Sequence, residues 1–193
     1  MLVSGNIVSL PTETVYGLAC DINNINAVKK IFELKGRDYS KPLSAFCYSI
    51  EQVESISDSL PEIFFEIFEK FLPGPLALIV KKNSKISDLM TSGKSTLAIR
   101  IPDNIFVLEL LKLHERPLAS TSANISYQSS AINAIEVFDI FNGKIPIIFD
   151  GNQCKFGIES TILDISNSEI SILREGVLKK AEIENKLKIK VKV

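Results

Sequence analysis

Pro11 to Asp21 reads PTETVYGLACD and follows the apolar run Ile7 to Leu10. That run has the length and composition of a short buried strand halted by Pro11, which places the polar TET segment on a loop at a strand end. Two later segments complete the pattern. Lys35-Gly36-Arg37 closes a helical stretch, and Ser120-Thr121-Ser122-Ala123-Asn124 continues from another apolar run. Two cations set against hydroxyls and an amide suit an anionic ligand, because phosphate and carboxylate oxygens accept from all of these donors.

Working outward, helical and strand patterns alternate along the chain. Asn26 is placed to cap a helix whose Val28, Ile31, Phe32 and Leu34 form one apolar face and whose C-terminal end delivers Lys35 and Arg37. Leu43 to Tyr48 reads as a strand. Pro61 opens a helix over Glu62 to Phe71, where Ile63, Phe64, Ile67, Phe68 and Phe71 recur at helical spacing. Pro73-Gly74-Pro75 ends it, and Leu76 to Val80 is the next strand. Thr96 to Ile101 is a strand, Asp103 caps a helix through Leu113, and Leu118 to Thr121 is a strand leading into the Ser/Asn loop. Ala131 to Phe141 is amphipathic, Ile145 to Phe149 is a short strand, and Ser160 to Ile165 with Ile170 to Leu173 forms an antiparallel pair around an Asn/Ser turn. The pattern predicts an α/β fold: a single domain over residues 1–193 with a twisted mixed sheet and flanking helices. Lys186 to Val193 alternates lysine with Leu187, Ile189, Val191 and Val193, as a charge-protected edge strand does.

Composition narrows the chemistry. With 193 residues, 46% of them hydrophobic, the chain can bury one sizeable core. A net charge of −1 argues against a uniformly basic nucleic-acid surface, though a local basic groove is compatible with it. Cys20, Cys47 and Cys154 are odd in number and widely spaced, which favours buried thiols in a reducing compartment over a disulfide framework or zinc site. The most apolar window, Phe71 to Val80, is interrupted by prolines and glycine, so neither a signal peptide nor a membrane span is expected and the cytoplasm is the default. No GxxxxGK[ST], GxGxxG or HExxH occurs, and His114 is the sole histidine. The chemistry therefore rests on Lys, Arg, hydroxyls and amides, an inventory suited to phosphoryl or nucleotidyl transfer.

Taken in order, these segments resemble the YrdC family of threonylcarbamoyl-AMP synthases in its short single-domain form. The resemblance extends through Pro73-Gly74-Pro75, Arg100-Ile101-Pro102, GIESTI at Gly157 to Ile162 and LREG at Leu173 to Gly176. It implies a YrdC-like fold and one cleft in which the threonine amine is carboxylated by bicarbonate and the carbamate attacks the α-phosphate of ATP, releasing pyrophosphate. Lys35, Arg37, Ser122 and Asn124 would be the catalytic group. ATP would also meet Lys41, Thr96, Ser130 and Arg174, while threonine would meet Thr14, Arg100, Ser120 and Ser160. Magnesium would arrive with ATP, held by phosphate oxygens and water rather than a protein metal site. The adenylate would pass to downstream tRNA threonylcarbamoyl-transferase proteins, with weak or no direct tRNA binding and no membrane role.

The sequence departs from the family pattern at three places. Phe46 stands where histidine is frequent, Ala77 where threonine is common, and Tyr127 where glycine is common. Glu13 and Glu159 lie inside motifs without an assigned role. Two other readings fit the same residues: a non-catalytic RNA-binding module using the cleft as a phosphate groove, and a related carbamoyl-adenylate enzyme with a different amine substrate.

Overall fold

A computed structural model describes residues 1–192. After a turn of 3-10 helix at Leu2–Ser4 come β1 (Val8–Leu10), β2 (Gly17–Asp21), α1 (Ile25–Lys35), β3 (Ser44–Phe46), α2 (Ile50–Ile56) and α3 (Glu62–Phe71). There follow β4 (Leu76–Lys81), α4 (Asp88–Thr91), β5 (Thr96–Arg100), α5 (Ile105–His114), β6 (Leu118–Ser122) and α6 (Ala134–Phe141). The chain finishes with β7 (Ile147–Ile148), β8 (Thr161–Asp164), β9 (Ser171–Arg174) and α7 (Lys180–Leu187). The nine strands form one sheet in the order β7-β1-β2-β6-β3-β5-β4-β8-β9, with parallel and antiparallel neighbours. The α/β fold with a mixed sheet is as the alternating pattern implies.

Period-two alternation gives the sheet two different faces. Ala45, Leu78, Ile99, Leu163 and Ile172 point into the main core, where Val28, Ile31 and Phe32 of α1, Phe64 and Ile67 of α3, Phe141 of α6 and Ile183 of α7 cover them. The opposite face carries a second, smaller core of Val8, Leu10, Ala19, Phe46 and Leu118, capped by Val107 and Leu111 of α5. Beyond the reach of α5, that face presents Gly17, Ser44, Ala77, Ala98 and Ser120 and is left open. Small side chains on an uncovered sheet face make a floor, and the cleft lies over it.

Several boundaries differ from the sequence reading. Asn24, not Asn26, caps α1, its side chain accepting from the Ala27 N–H, and Asn104 rather than Asp103 caps α5 through the Val107 N–H. The second half of PTETVYGLACD is β2, fully buried between β1 and β6, where the sequence placed only a loop. Its continuous burial explains the miss: a strand covered on both faces shows no alternation. The C-terminal lysine segment is not a strand over Lys186 to Val193. Helix α7 runs through Leu187, and only Lys192 bridges to Ser171. The burial alternation nonetheless holds, since Leu187 and Val191 are buried while Lys186, Lys188, Lys190 and Lys192 are exposed. Val193 lies outside the described residues.

Candidate active site

The open part of the sheet face forms a cleft of about 550 Å³, within the roughly 300–1,000 Å³ typical of small-molecule sites. Six basic side chains line it, Lys35, Arg37, Lys41, Lys94, Arg100 and Arg174, against a single acidic one among the described residues, Glu159. In a chain of net charge −1, this concentration of positive charge marks an anion site.

Strand register orders the cleft. Phe46, Arg100, Ala77, Ile162 and Arg174 face one another in a single row across β3, β5, β4, β8 and β9. Arg100 and Arg174 are thus three strand spacings apart, about 14 Å at the backbone. The cleft has two cationic ends.

At one end, Gly36 stops α1 in the left-handed region with φ 56°, and its N–H and that of Arg37 bond the last carbonyls of the helix. This turn directs Lys35 inward and Arg37 along the rim. Lys35 is 1% exposed, and its Nζ donates to the Asn124 carbonyl at 2.6 Å, to Asn124 Oδ1 at 2.8 Å and to the Ser122 carbonyl. Burial, reinforced by the Arg37 charge and opposed by Glu159, pushes the Lys35 ammonium down to about 7. Asn124 is equally engaged: Oδ1 also accepts from Ser122 Oγ at 2.7 Å, while Nδ2 donates to the Ile125 and Gln128 carbonyls. Lys35, Ser122 and Asn124 therefore form a clamp that shapes the Ser/Asn loop. An ammonium has three N–H groups, and here all three meet protein oxygens.

Arg37 donates from Nε to the Lys41 carbonyl and from Nη2 to the Pro42 carbonyl, both at 2.9 Å, and Nη1 has no protein partner among the described residues. Lys41 lies over the exposed ring of Tyr127, Nζ 3.9 Å from the centroid, joining the two loops that border the cleft. Arg174 donates from Nε and Nη2 to the Ser160 carbonyl and from Nη1 to Glu159 Oε2 at 2.7 Å. Ser130 Oγ donates to Glu159 Oε1 at 3.0 Å.

At the other end, Arg100 and Glu13 are both buried, with Nη2 2.8 Å from Oε1. The contact is close but off the donor direction, so it is an ion pair rather than a directed hydrogen bond. Arg100 Nε and Nη2 and both Glu13 oxygens consequently have no hydrogen-bond partner among the described residues. The Phe46 ring lies 5.7 Å from the guanidinium and also belongs to the second core, so it packs on both sides of its strand position.

Nine of the twelve residues singled out from the sequence line this cleft: Lys35, Arg37, Lys41, Arg100, Ser120, Ser122, Asn124, Ser160 and Arg174. Three do not. Thr14 is fully buried and bonded to Thr12, Ser130 reaches the cleft only through Glu159, and Thr96 sits on β5 between the lining residues Lys94 and Ala98. Sequence reasoning did not single out Lys94, and it left Glu13 and Glu159 without a role. The signal for Lys94 was faint: a Ser-Gly turn just before a strand.

Comparison with known proteins places this arrangement. A family model for Sua5, YciO and YrdC proteins, described as telomere recombination, matches residues 1–176. A Pyrococcus abyssi protein named threonylcarbamoyl-AMP synthase is 42% identical over 93% of this chain and 53% of its own length. A Methanocaldococcus jannaschii protein named putative threonylcarbamoyl-AMP synthase is 35% identical over 92% of this chain and 83% of its own. The crystal structure of P. abyssi Sua5 complexed with L-threonine superposes with a TM-score of 0.95 at 40% identity, covering 98% of this chain and 56% of that one. The chain spans about half the length of several curated relatives that it matches. With the family model covering most of the sequence, the chain belongs to the Sua5/YciO/YrdC family.

Proposed function

We propose that residues 1–193 act as one catalytic domain that forms threonylcarbamoyl-AMP and pyrophosphate from L-threonine, bicarbonate and ATP, for threonylcarbamoyladenosine modification of tRNA. The observation that carries this reading is Arg100, a buried guanidinium facing the cleft with two nitrogens lacking directed partners. Buried donors without directed hydrogen bonds are costly, and a substrate carboxylate competing with Glu13 for the guanidinium would supply a charge-assisted pair. Ser120 and Ser160 line the same cleft and would meet the remaining polar groups of threonine, and the relatives named above carry the same activity in their names.

Arg37, Arg174 and Lys41 would hold the phosphates, and Lys35, Ser122 and Asn124 would keep the Ser/Asn loop in place against them, with Thr96 and Ser130 at the margin. Thr14, bonded to Thr12 Oγ1, would steady its own TET loop at the threonine end. The carbamate oxygen forms a bond to the α-phosphorus as the bond to pyrophosphate breaks, and the guanidinium groups neutralise the charge that moves to the leaving group. Glu159 is the one carboxylate lining the cleft among the described residues. A magnesium ion arriving with ATP would therefore take most of its ligands from phosphate oxygens and water, and would supply further charge neutralisation. Among the described residues no helix is long and apolar enough to cross a membrane; the proposed location is the cytoplasm, where tRNA-modifying partners would consume the product.

The test follows pyrophosphate release and the mass of the adenylate with ATP, bicarbonate and threonine, omitting one at a time. Release should require threonine and bicarbonate together. Equal release without either would point to a plain ATPase or to amino-acid adenylation and would displace this reading.

A further inference from the structure

Glu159 is misplaced for an anion site. It is the single acidic side chain lining the cleft among the described residues, and it stands among the cations that the ligand would need. Its Oε2 takes the only Arg174 nitrogen that is not tied to Ser160, and its Oε1 accepts from Ser130. Lys35 and Arg37 both feel its charge. The backbone here is fixed, since the Glu159 carbonyl accepts from the Val177 N–H and Gly176 packs against it. The side chain is freer: Glu159 and Arg174 are 38% and 41% exposed. A pair so exposed contributes little to stability, so its exchange for another partner is easy.

We propose that Glu159 is a built-in counter-anion of the phosphate subsite, whose carboxylate occupies the place on Arg174 that a phosphate group of the ligand takes. The proposal rests on reading the cleft as a nucleotide site. A phosphate chain carrying several charges displaces one carboxylate from Arg174, and the carboxylate returns when pyrophosphate leaves. Glu159 thereby limits the affinity for pyrophosphate and favours its release. A residue that merely oriented Arg174 would have the opposite effect on removal, because the guanidinium would lose its brace.

Titration calorimetry with inorganic pyrophosphate and with ATP, on the wild-type chain, Glu159→Gln, Glu159→Ala, Arg174→Met and Glu159→Gln/Arg174→Met, separates these possibilities. Both single Glu159 variants should bind pyrophosphate roughly tenfold tighter, as removal of one unit charge at partly solvated distance allows. The gain should shrink at high salt and become smaller in the Arg174→Met background, where only the repulsion of the ligand by Glu159 is left to remove. Unfolding midpoints close to wild type check that the variants fold. Wild-type binding of pyrophosphate or ATP with equal or weaker binding by both Glu159 variants overturns the proposal and leaves the nucleotide reading intact. Failure of every protein to bind either ligand removes the nucleotide reading and this proposal with it.

Discussion

Lys35 Nζ meets both the carbonyl and the side-chain oxygen of Asn124, at 2.6 and 2.8 Å, and thereby fastens the end of α1 to the loop after β6. The backbone repeats the link in the other direction, with the Ser126 N–H donating to the Lys35 carbonyl at 2.9 Å. A lysine in a cationic cleft is naturally read as a phosphate ligand. Its donors are instead committed to the protein, which makes it a clamp on the loop that borders the ligand.

Lys35→Met should therefore destabilise the fold as well as impair turnover. Three oxygens would lose their donor in a buried place, and the expected loss is on the order of 2–4 kcal/mol. Urea unfolding measures it. A variant with wild-type stability and no turnover would return Lys35 to the role of direct ligand.

The same lysine gives a pH response with two signs. Burial holds it at about 7 in the folded chain against an ordinary 10.5, so between those values the unfolded chain carries the extra proton. This group's contribution to stability accordingly rises from about pH 7 to 10.5 and is lowest below about 7, where both states are protonated. The loop responds oppositely, because a neutral amine has two N–H groups for three acceptors. Amide exchange at Ser126, corrected for its intrinsic pH dependence, should accelerate as pH rises through about 7. Constant protection across that range would contradict the clamp.

Arg37→Ala should lower pyrophosphate release by about a hundredfold, since a guanidinium on a developing charge is worth several kcal/mol. Stability should fall by only about 1–2 kcal/mol for its two bonds to the Lys41 and Pro42 carbonyls. Parallel turnover and unfolding measurements decide. Full turnover would remove Arg37 from the site.

Gly176→Ala tests the packing that places Glu159 and Ser160. A Cβ at 176 would sit 2.1 Å from the Glu159 carbonyl oxygen and 2.6 Å from the Ser160 carbonyl carbon, and both are backbone atoms. The strands or the turn must shift, so a loss of about 2 kcal/mol or more is expected, with weaker binding of threonine and of ATP. A wild-type melting midpoint would show that this turn is pliant.

Threonine should outcompete valine by on the order of a hundredfold or more in adenylate formation, with serine intermediate, because a site built to bond a hydroxyl leaves its own polar groups unpaired without one. Phe46→His should leave that order unchanged, as Phe46 lines the cleft from its edge and packs into the second core beside it. Adenylate yields at matched concentrations give the answer. If valine equals threonine and Phe46→His restores a preference for threonine, the pocket is tuned to another amine.

Much of this was legible from local pattern. Helices α1, α3 and α5 announced themselves by apolar spacing and nearby caps, and the cations and hydroxyls of the KGR and STSAN segments stood out because nothing in a core requires them. What the sequence alone determined was the inventory: most of the elements, which residues carry charge or donors, and that a lone histidine with no nucleophile elbow gives triad chemistry little support. The tertiary structure decided their use. Burial of β2 on both faces erased its periodicity, and small residues on five strands, far apart in the chain, became a cleft floor only once register aligned them. Lys35 turned into a clamp because three oxygens converge on it, and Glu159 acquired meaning from the cations around it. Propensity is a property of neighbours along the chain, whereas a hydrogen bond or an ion pair depends on distance in space, and only the folded sheet sets those distances.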